Sequence, residues 1–266
     1  MMEENYLDIN RETWNEKTDI HIDSEFYDQK SFLEGKNSLN SIELDLLGSL
    51  KDKKVLHLQC HFGQDTLSLS RLGAKATGVD LSDKAIARAR EMAEKLGIDT
   101  QFINCDIYSL PDHLDEEFDI VFTSYGTIGW LPDLDRWAKV IHKFLKPDGK
   151  FLLVDFHPVV WMFDDDFDKI GYNYFKDEPI IETVNGTYAD KNAHVALKTV
   201  NWNHSISEIL NSLIQNKLEI GSFDEYDYSP YDCFNKTEEF EPKKYRIQHI
   251  GNKIPMVYAV VATKKQ

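Results

Sequence analysis

The sequence is poor in cysteine, in basic residues and in long apolar runs. Its three cysteines, Cys60, Cys105 and Cys233, stand far apart and form no CxxC pair. That spacing indicates neither a zinc ribbon nor a disulfide framework. Lys and Arg number 30 against 46 Asp and Glu, a formal net charge of −16. Non-specific nucleic-acid binding needs cations that displace phosphate counterions, so no nucleic-acid partner is expected. An anionic membrane surface is disfavoured for the same reason. No apolar run approaches the ~20 residues of a membrane span. The opening MMEENYLDIN is acidic and has no apolar signal core, which leaves the cytoplasm as the expected location. The chain also lacks internal repeats and low-complexity linkers.

What remains is the composition of a folded chain. Across 266 residues, 42% are hydrophobic and 12% aromatic. This excludes a largely disordered chain and suffices for a sizeable core. At about 150 residues per domain the length suggests one to two domains. Residues 1–50 are polar with scattered aromatics and are expected to form a helical cap. Leu39, Ile42, Leu46 and Leu50 fall at helical spacing within it. From residue 51 short apolar runs alternate with amphipathic stretches. Val55–Leu58, Ala76–Val79, Gln101–Cys105, Phe118–Thr123 and Phe151–Phe156 read as buried strands. Thr66–Leu72, the stretch from Ser82 to Leu96, and Leu134–Leu145 read as helices. Ser82 is placed to cap a helix start, Gly97 to end it, and Lys146-Pro147-Asp148-Gly149 to turn the chain. Continuous apolar strands separated by helices mean a parallel sheet covered on both faces. Residues 157–200 break the rhythm, as lids and binding segments do. Strands at Leu218–Tyr226 and Pro255–Ala262 complete the pattern, so residues 51–266 read as one domain carrying that insertion.

Ligands of open parallel sheets bind beyond the carboxyl ends of the strands. After strand one comes His57-Leu58-Gln59-Cys60-His61-Phe62-Gly63, and after strand two Asp80. Strand three is followed by Asp106-Ile107, strand four gives way to Thr123-Ser124-Tyr125-Gly126, and strand five is followed by His157. His57 and His61 have no third ligand at a diagnostic spacing, so no metal is expected. A dinucleotide site needs close backbone approach to a pyrophosphate, and Gln59 and His61 obstruct it. Seven aromatics between 156 and 175, with Tyr226, Tyr228, Tyr231 and Phe234, suggest an apolar acceptor pocket or a lid packed on the sheet.

The runs VLHLQCHFG, ATGVDLS, INCDIY, FDIVFTSYG and LKPDGKFLLVD resemble the class I S-adenosylmethionine-dependent methyltransferases. HLQCHFGQDTLSLSRLGA looks like a bacterial small-molecule-type subgroup of them. The resemblance covers residues 50–156 well. It implies an α/β, Rossmann-like three-layer sandwich with a seven-stranded, mostly parallel sheet and an antiparallel last strand. It implies S-adenosyl-L-methionine as cofactor, with Asp80 at the ribose, Asp106 and Ile107 at the adenine, and Leu81 also in the cofactor site. Gln59, His61, Gly63 and Thr123 would face the methionine part. The family's first loop reads D-x-G-x-G-x-G; the aligned positions here are His57, Gln59, His61 and Gly63, so only the last glycine remains. A side chain at 59 or 61 either crowds the methionine moiety or offers its carboxylate a hydrogen bond. The expected reaction is methyl transfer to oxygen or nitrogen of a small molecule. His157 and Tyr125 are the candidate general bases, although alignment alone suffices for many methyl transfers. The N/D-P-P-Y/F element of amino-group DNA methyltransferases is absent. A non-catalytic cofactor-binding protein and a nicotinamide-dependent oxidoreductase remain as rival readings.

Overall fold

The computed structural model describes residues 5–265. Three helices come first: α1 (Tyr6–His21), α2 (Gln29–Leu33) and α3 (Ser41–Leu47). An alternating run follows, made of β1 (Lys54–Leu58), α4 (Gln64–Arg71), β2 (Lys75–Asp80), α5 (Asp83–Leu96), β3 (Gln101–Asn104), β4 (Phe118–Ser124), α6 (Leu134–Phe144) and β5 (Leu145–Phe156). Next are β6 (Ile180–Asn185), β7 (Ala196–Asn201), α7 (Ile206–Gln215), β8 (Leu218–Tyr226), β9 (Thr237–Glu241), β10 (Lys244–Ile247) and β11 (Val257–Lys264).

Local chemistry explains the boundaries. Ser82 accepts a hydrogen bond from the Ala85 amide and starts α5, and Gly97 ends it at φ +63°. Asp133 caps α6 in the same way. The α6 residues Leu134, Trp137, Ala138 and Ile141 are all buried, each large apolar side chain contributing about 1.5–3 kcal/mol. They pack on one face of the sheet with Ile209 and Leu213 of α7. Leu39, Ile42 and Leu47 cover the opposite face.

The main sheet has the order β3-β2-β1-β4-β5-β11-β8. β11 is antiparallel to both β5 and β8, and the other pairs are parallel. This is the seven-stranded, Rossmann-like sheet expected from the sequence, antiparallel last strand included. Two details differ. The Lys-Pro-Asp-Gly turn lies inside β5 rather than before it. Leu145 already pairs with Phe118, and the register then shifts to Lys150 beside Ile120. The 157–200 insertion is also more regular than a loop, because β6 and β7 form an antiparallel hairpin. That hairpin meets α1: Asn10 donates to the Val200 carbonyl and accepts from the Val200 amide, and Thr13 donates to the Lys198 carbonyl. Among the described residues no helix is long and apolar enough to cross a membrane.

Candidate functional site

Parallel register brings the strand ends to one edge. Leu58 lies beside Val79, and Asp80 beside Asn104. Strand order reverses between β1 and β4, where such sheets leave a crevice. A cavity of about 890 Å³ occupies it, toward the upper end for small-molecule sites. Its floor is the sheet edge. Trp14, Lys17, Phe26 and Tyr27, with Tyr188 from the loop after β6, wall its other side.

The loop after β1 forms the heart of the floor. Gln59 and His61 adopt φ values of +54° and +50°, and Gly63 follows at +80°. Left-handed backbone is ordinarily supplied by glycine and costs other residues about 1–2 kcal/mol each. The loop thus keeps a glycine-type path with side chains on it. Gln59 Nε2 anchors to the Thr127 carbonyl at 2.8 Å. The His61 ring stands within 3.1 Å of His21, Nε2 to Nδ1, and edge-on to Trp14. Gly63 is retained for space: a Cβ there would sit 2.7 Å from the Phe102 ring. His57 faces the cavity wall but its Nδ1 is bonded to Thr66 Oγ1 at 2.8 Å, and burial pushes its pKa down to about 3.

Asp80 closes the end of β2. Its two oxygens accept from the amides of His61 and Ser82, each at 2.8 Å. Burial raises its pKa to about 6, with the amides opposing. Leu81, Asp106 and Ile107 line the same part of the cavity. Asp106 spends hydrogen bonds on the Tyr108 and Ser109 amides, which fixes the turn after β3.

Beyond β4 the structure redistributes the sequence candidates. Thr123 does not face the cavity. It is buried within the sheet, its Oγ1 toward the Leu58 carbonyl, and Ser124 lines the cavity instead. His157 is likewise not brought to the site. Its Nε2 lies 2.9 Å from Glu225 of β8 and its ring packs edge-on to Tyr258. The backbone turns after Phe156, where the His157 amide bonds to Met256, and this aims the imidazole at the far strands. Tyr125 does line the cavity, at φ +35°. Its hydroxyl donates to Glu43 Oε2 at 2.8 Å, and burial holds its pKa well above the usual value. Its ring stands edge-on to Tyr231.

Three residues were not singled out from the sequence. Asp155, buried in β5, accepts from the amides of Gly126, Thr127, Ile128 and Phe156 and from the Thr127 hydroxyl. It thereby shapes the 125–128 turn. Its signal was a lone charge inside an apolar strand. Asp65, on the first turn of α4, lines the cavity and its pKa is raised by burial. Lys17 lines it from α1. Of the aromatic stretches, Phe156, Trp161, Phe163, Phe167, Tyr172, Tyr231 and Phe234 reach the cavity, whereas Phe175 is exposed.

This donor set suits an adenosyl amino-acid cofactor. The Asp80 carboxylate keeps lone pairs beyond those its two amides use, as a ribose diol requires. Gln59 Oε1 and His61 Nδ1 are buried without a hydrogen-bond partner in the same wall, a state that native structures normally satisfy. Comparison with known proteins agrees. Residues 55–149 match the family model described as a methyltransferase domain. The chain is 34% identical over 131 residues to an uncharacterized methyltransferase of Synechocystis sp., covering 48% of this chain and 59% of the relative. It is 24% identical over 128 residues to a ubiquinone biosynthesis O-methyltransferase of Pseudomonas entomophila, covering 47% and 55%. It thus spans between half and two thirds of the length of these relatives. Among solved structures, an S-adenosylmethionine-dependent methyltransferase of Mesorhizobium loti superposes with a TM-score of 0.58 at 22% identity, over 87% of this chain and all of the other. Residues 55–149 are thus similar to a methyltransferase domain, and the chain shares the fold of solved S-adenosylmethionine-dependent methyltransferases.

Proposed function

We propose that the chain transfers a methyl group from S-adenosyl-L-methionine to an oxygen or nitrogen of a small-molecule acceptor. The observation that carries this is the Asp80 carboxylate, held by the His61 and Ser82 amides at the mouth of a left-handed 59–63 loop. In this reading Asp80 and Leu81 hold the ribose, and Asp106 and Ile107 border the adenine. Gln59, His61 and Gly63 lie along the methionine part, with Ser124 in the place expected for Thr123. The cofactor supplies an electrophilic methyl on a sulfonium leaving group. The protein supplies alignment and exclusion of water. Residues 1–50 and 157–200 act as the cap that excludes it. The acceptor lies against Tyr125, Phe156, Trp161, Tyr231 and Phe234. Of the sequence candidates for a base, His157 points away and Tyr125 is tied to Glu43, so neither is assigned that role. The acidic surface supports a small acceptor over a nucleic acid.

The test is methyl transfer from isotopically labelled cofactor to a panel of small phenols, carboxylates and amines, read by mass spectrometry. Labelled product with the native protein, and much less with Asp80→Ala at cofactor concentrations below saturation, supports the reading. Tight cofactor binding without transfer to any acceptor class would favour a cofactor-binding protein.

A further inference from the structure

Lys17 is the one buried lysine among the described residues, at 8% exposure. Lysines are almost never so buried without a partner. Its ammonium lies 4.5 Å from the Trp14 ring centroid, 5.0 Å from Trp130 and 5.9 Å from Tyr188. Among the described residues it makes no ion pair or hydrogen bond. The aromatic faces offset part of the cost of burial, but they accept none of its three protons. The other lysines that line the cavity are engaged or exposed: Lys36 pairs with Asp28 and Lys191 bonds to the Phe234 carbonyl, while Lys243 is exposed.

The ammonium therefore awaits an anionic acceptor within the cavity. On the methyltransferase reading, the cofactor has one anionic group, the carboxylate of its methionine part. That carboxylate is the one group of the cofactor that an ammonium attracts, whereas the sulfonium and the amino group are cations. Lys17 stands over the loop that this reading assigns to the methionine part: His21 and His61 both feel its charge. We propose that Lys17, framed by Trp14, Trp130 and Tyr188, is the carboxylate clamp of the cofactor. This makes it the residue of α1 that selects cofactors carrying an intact amino-acid carboxylate. Because Lys17 belongs to α1, the clamp also ties cofactor binding to the docking of that helix.

The test compares two ligands by calorimetry. One is S-adenosylhomocysteine. The other is S-adenosyl-3-thiopropylamine, which keeps the nucleoside, thioether and ammonium and lacks the carboxylate. The native protein should prefer the first by about 10- to 100-fold, the range expected for hydrogen bonds to a charged group. Lys17→Met should erase that preference by weakening the first ligand alone, and Lys17→Arg should retain most of it. Burial brings the Lys17 pKa down to about 8. His21 and His61 are held neutral by burial, and burial raises Tyr188. The native preference should therefore decline as pH rises through 8, and this decline should be absent in Lys17→Arg. That pH comparison stands even if Lys17→Met does not fold. Equal weakening of both ligands in Lys17→Met, or an unchanged preference, overturns the clamp while leaving the methyltransferase reading intact. Failure of the native protein to bind either ligand overturns both.

Discussion

Asp80 answers two demands. To accept from a ribose, as proposed, it must stay ionised, yet it is buried at a sheet edge. The amides of His61 and Ser82 stabilise its charge, and burial still raises the pKa from 3.8 to about 6. The folded group therefore holds its proton to higher pH than the unfolded one. Its contribution to stability is unfavourable above pH 6 and fades as pH falls toward 4. Cofactor affinity should run the opposite way, level above pH 7 and falling as pH drops through 6. Calorimetric titration of S-adenosylhomocysteine between pH 5 and 8 checks this, and a flat profile would remove Asp80 from the contact. Asp80→Ala should weaken binding by about 1.5–3 kcal/mol. Unchanged affinity in a folded variant would show that the end of β2 does not meet the ligand. The place of Asp80 at the end of β2 was legible in the sequence because a lone acid ended an apolar strand. Thr123 was misassigned because its strand ends one residue later, and a one-residue difference changes the face of a β-strand side chain.

At the scale of elements, the loop after β1 shows what a pattern of glycines encodes. Gln59 and His61 take the left-handed backbone that glycine makes easy, and each has a local compensation: the Gln59 bond to Thr127 and the His61 contact with His21. Substituting Gln59→Gly should be nearly neutral, within about 1 kcal/mol, since relieved strain offsets one lost hydrogen bond. Gln59→Val should cost about 2 kcal/mol or more, because a β-branched residue is poorly tolerated at positive φ. Urea denaturation separates the two; equal costs would mean that backbone strain is not the deciding quantity. The 125–128 turn depends on Asp155 in the same manner. Asp155→Ala leaves several buried amides without an acceptor and should lower stability by about 3 kcal/mol or more. An unchanged urea midpoint would contradict that. The helices and strands of residues 51–156 were legible because caps, apolar period and turn residues agreed with one another. The β6–β7 hairpin was not. Its β6 strand is largely exposed, so it carries no apolar run to mark it.

For the whole molecule, the cavity exists because distant segments meet. α1 docks on β7 through Asn10 and on the start of α5, where Asn15 accepts from Ser82 Oγ and donates to Asp83. No local pattern in the sequence could state that residue 10 faces residue 200. The aromatic composition of the cap was visible, but its register on the sheet edge was not, and Lys17 went unnoticed for that reason. His157 failed as a candidate on the same ground: its strand was read correctly, but the pull of Glu225 and Tyr258 from β8 and β11 is tertiary. Asn10→Ala removes both bonds to Val200 and should loosen the cap. Limited proteolysis within residues 5–35 should speed up relative to the native protein, and S-adenosylhomocysteine should slow it, since a ligand at 100 times its Kd stabilises the bound form by about 2.7 kcal/mol. Equal cleavage rates would place the cap's stability elsewhere.

The central claim is that this sheet edge is an adenosyl-cofactor site rather than a dinucleotide site. The most direct measurement is calorimetric titration of the purified protein with S-adenosylmethionine and S-adenosylhomocysteine, with NAD and NADP as controls. The account predicts roughly micromolar binding of the adenosyl pair, about −8 kcal/mol, and no heat from the nicotinamide nucleotides. Binding of NAD or NADP with none of the adenosyl pair would contradict it.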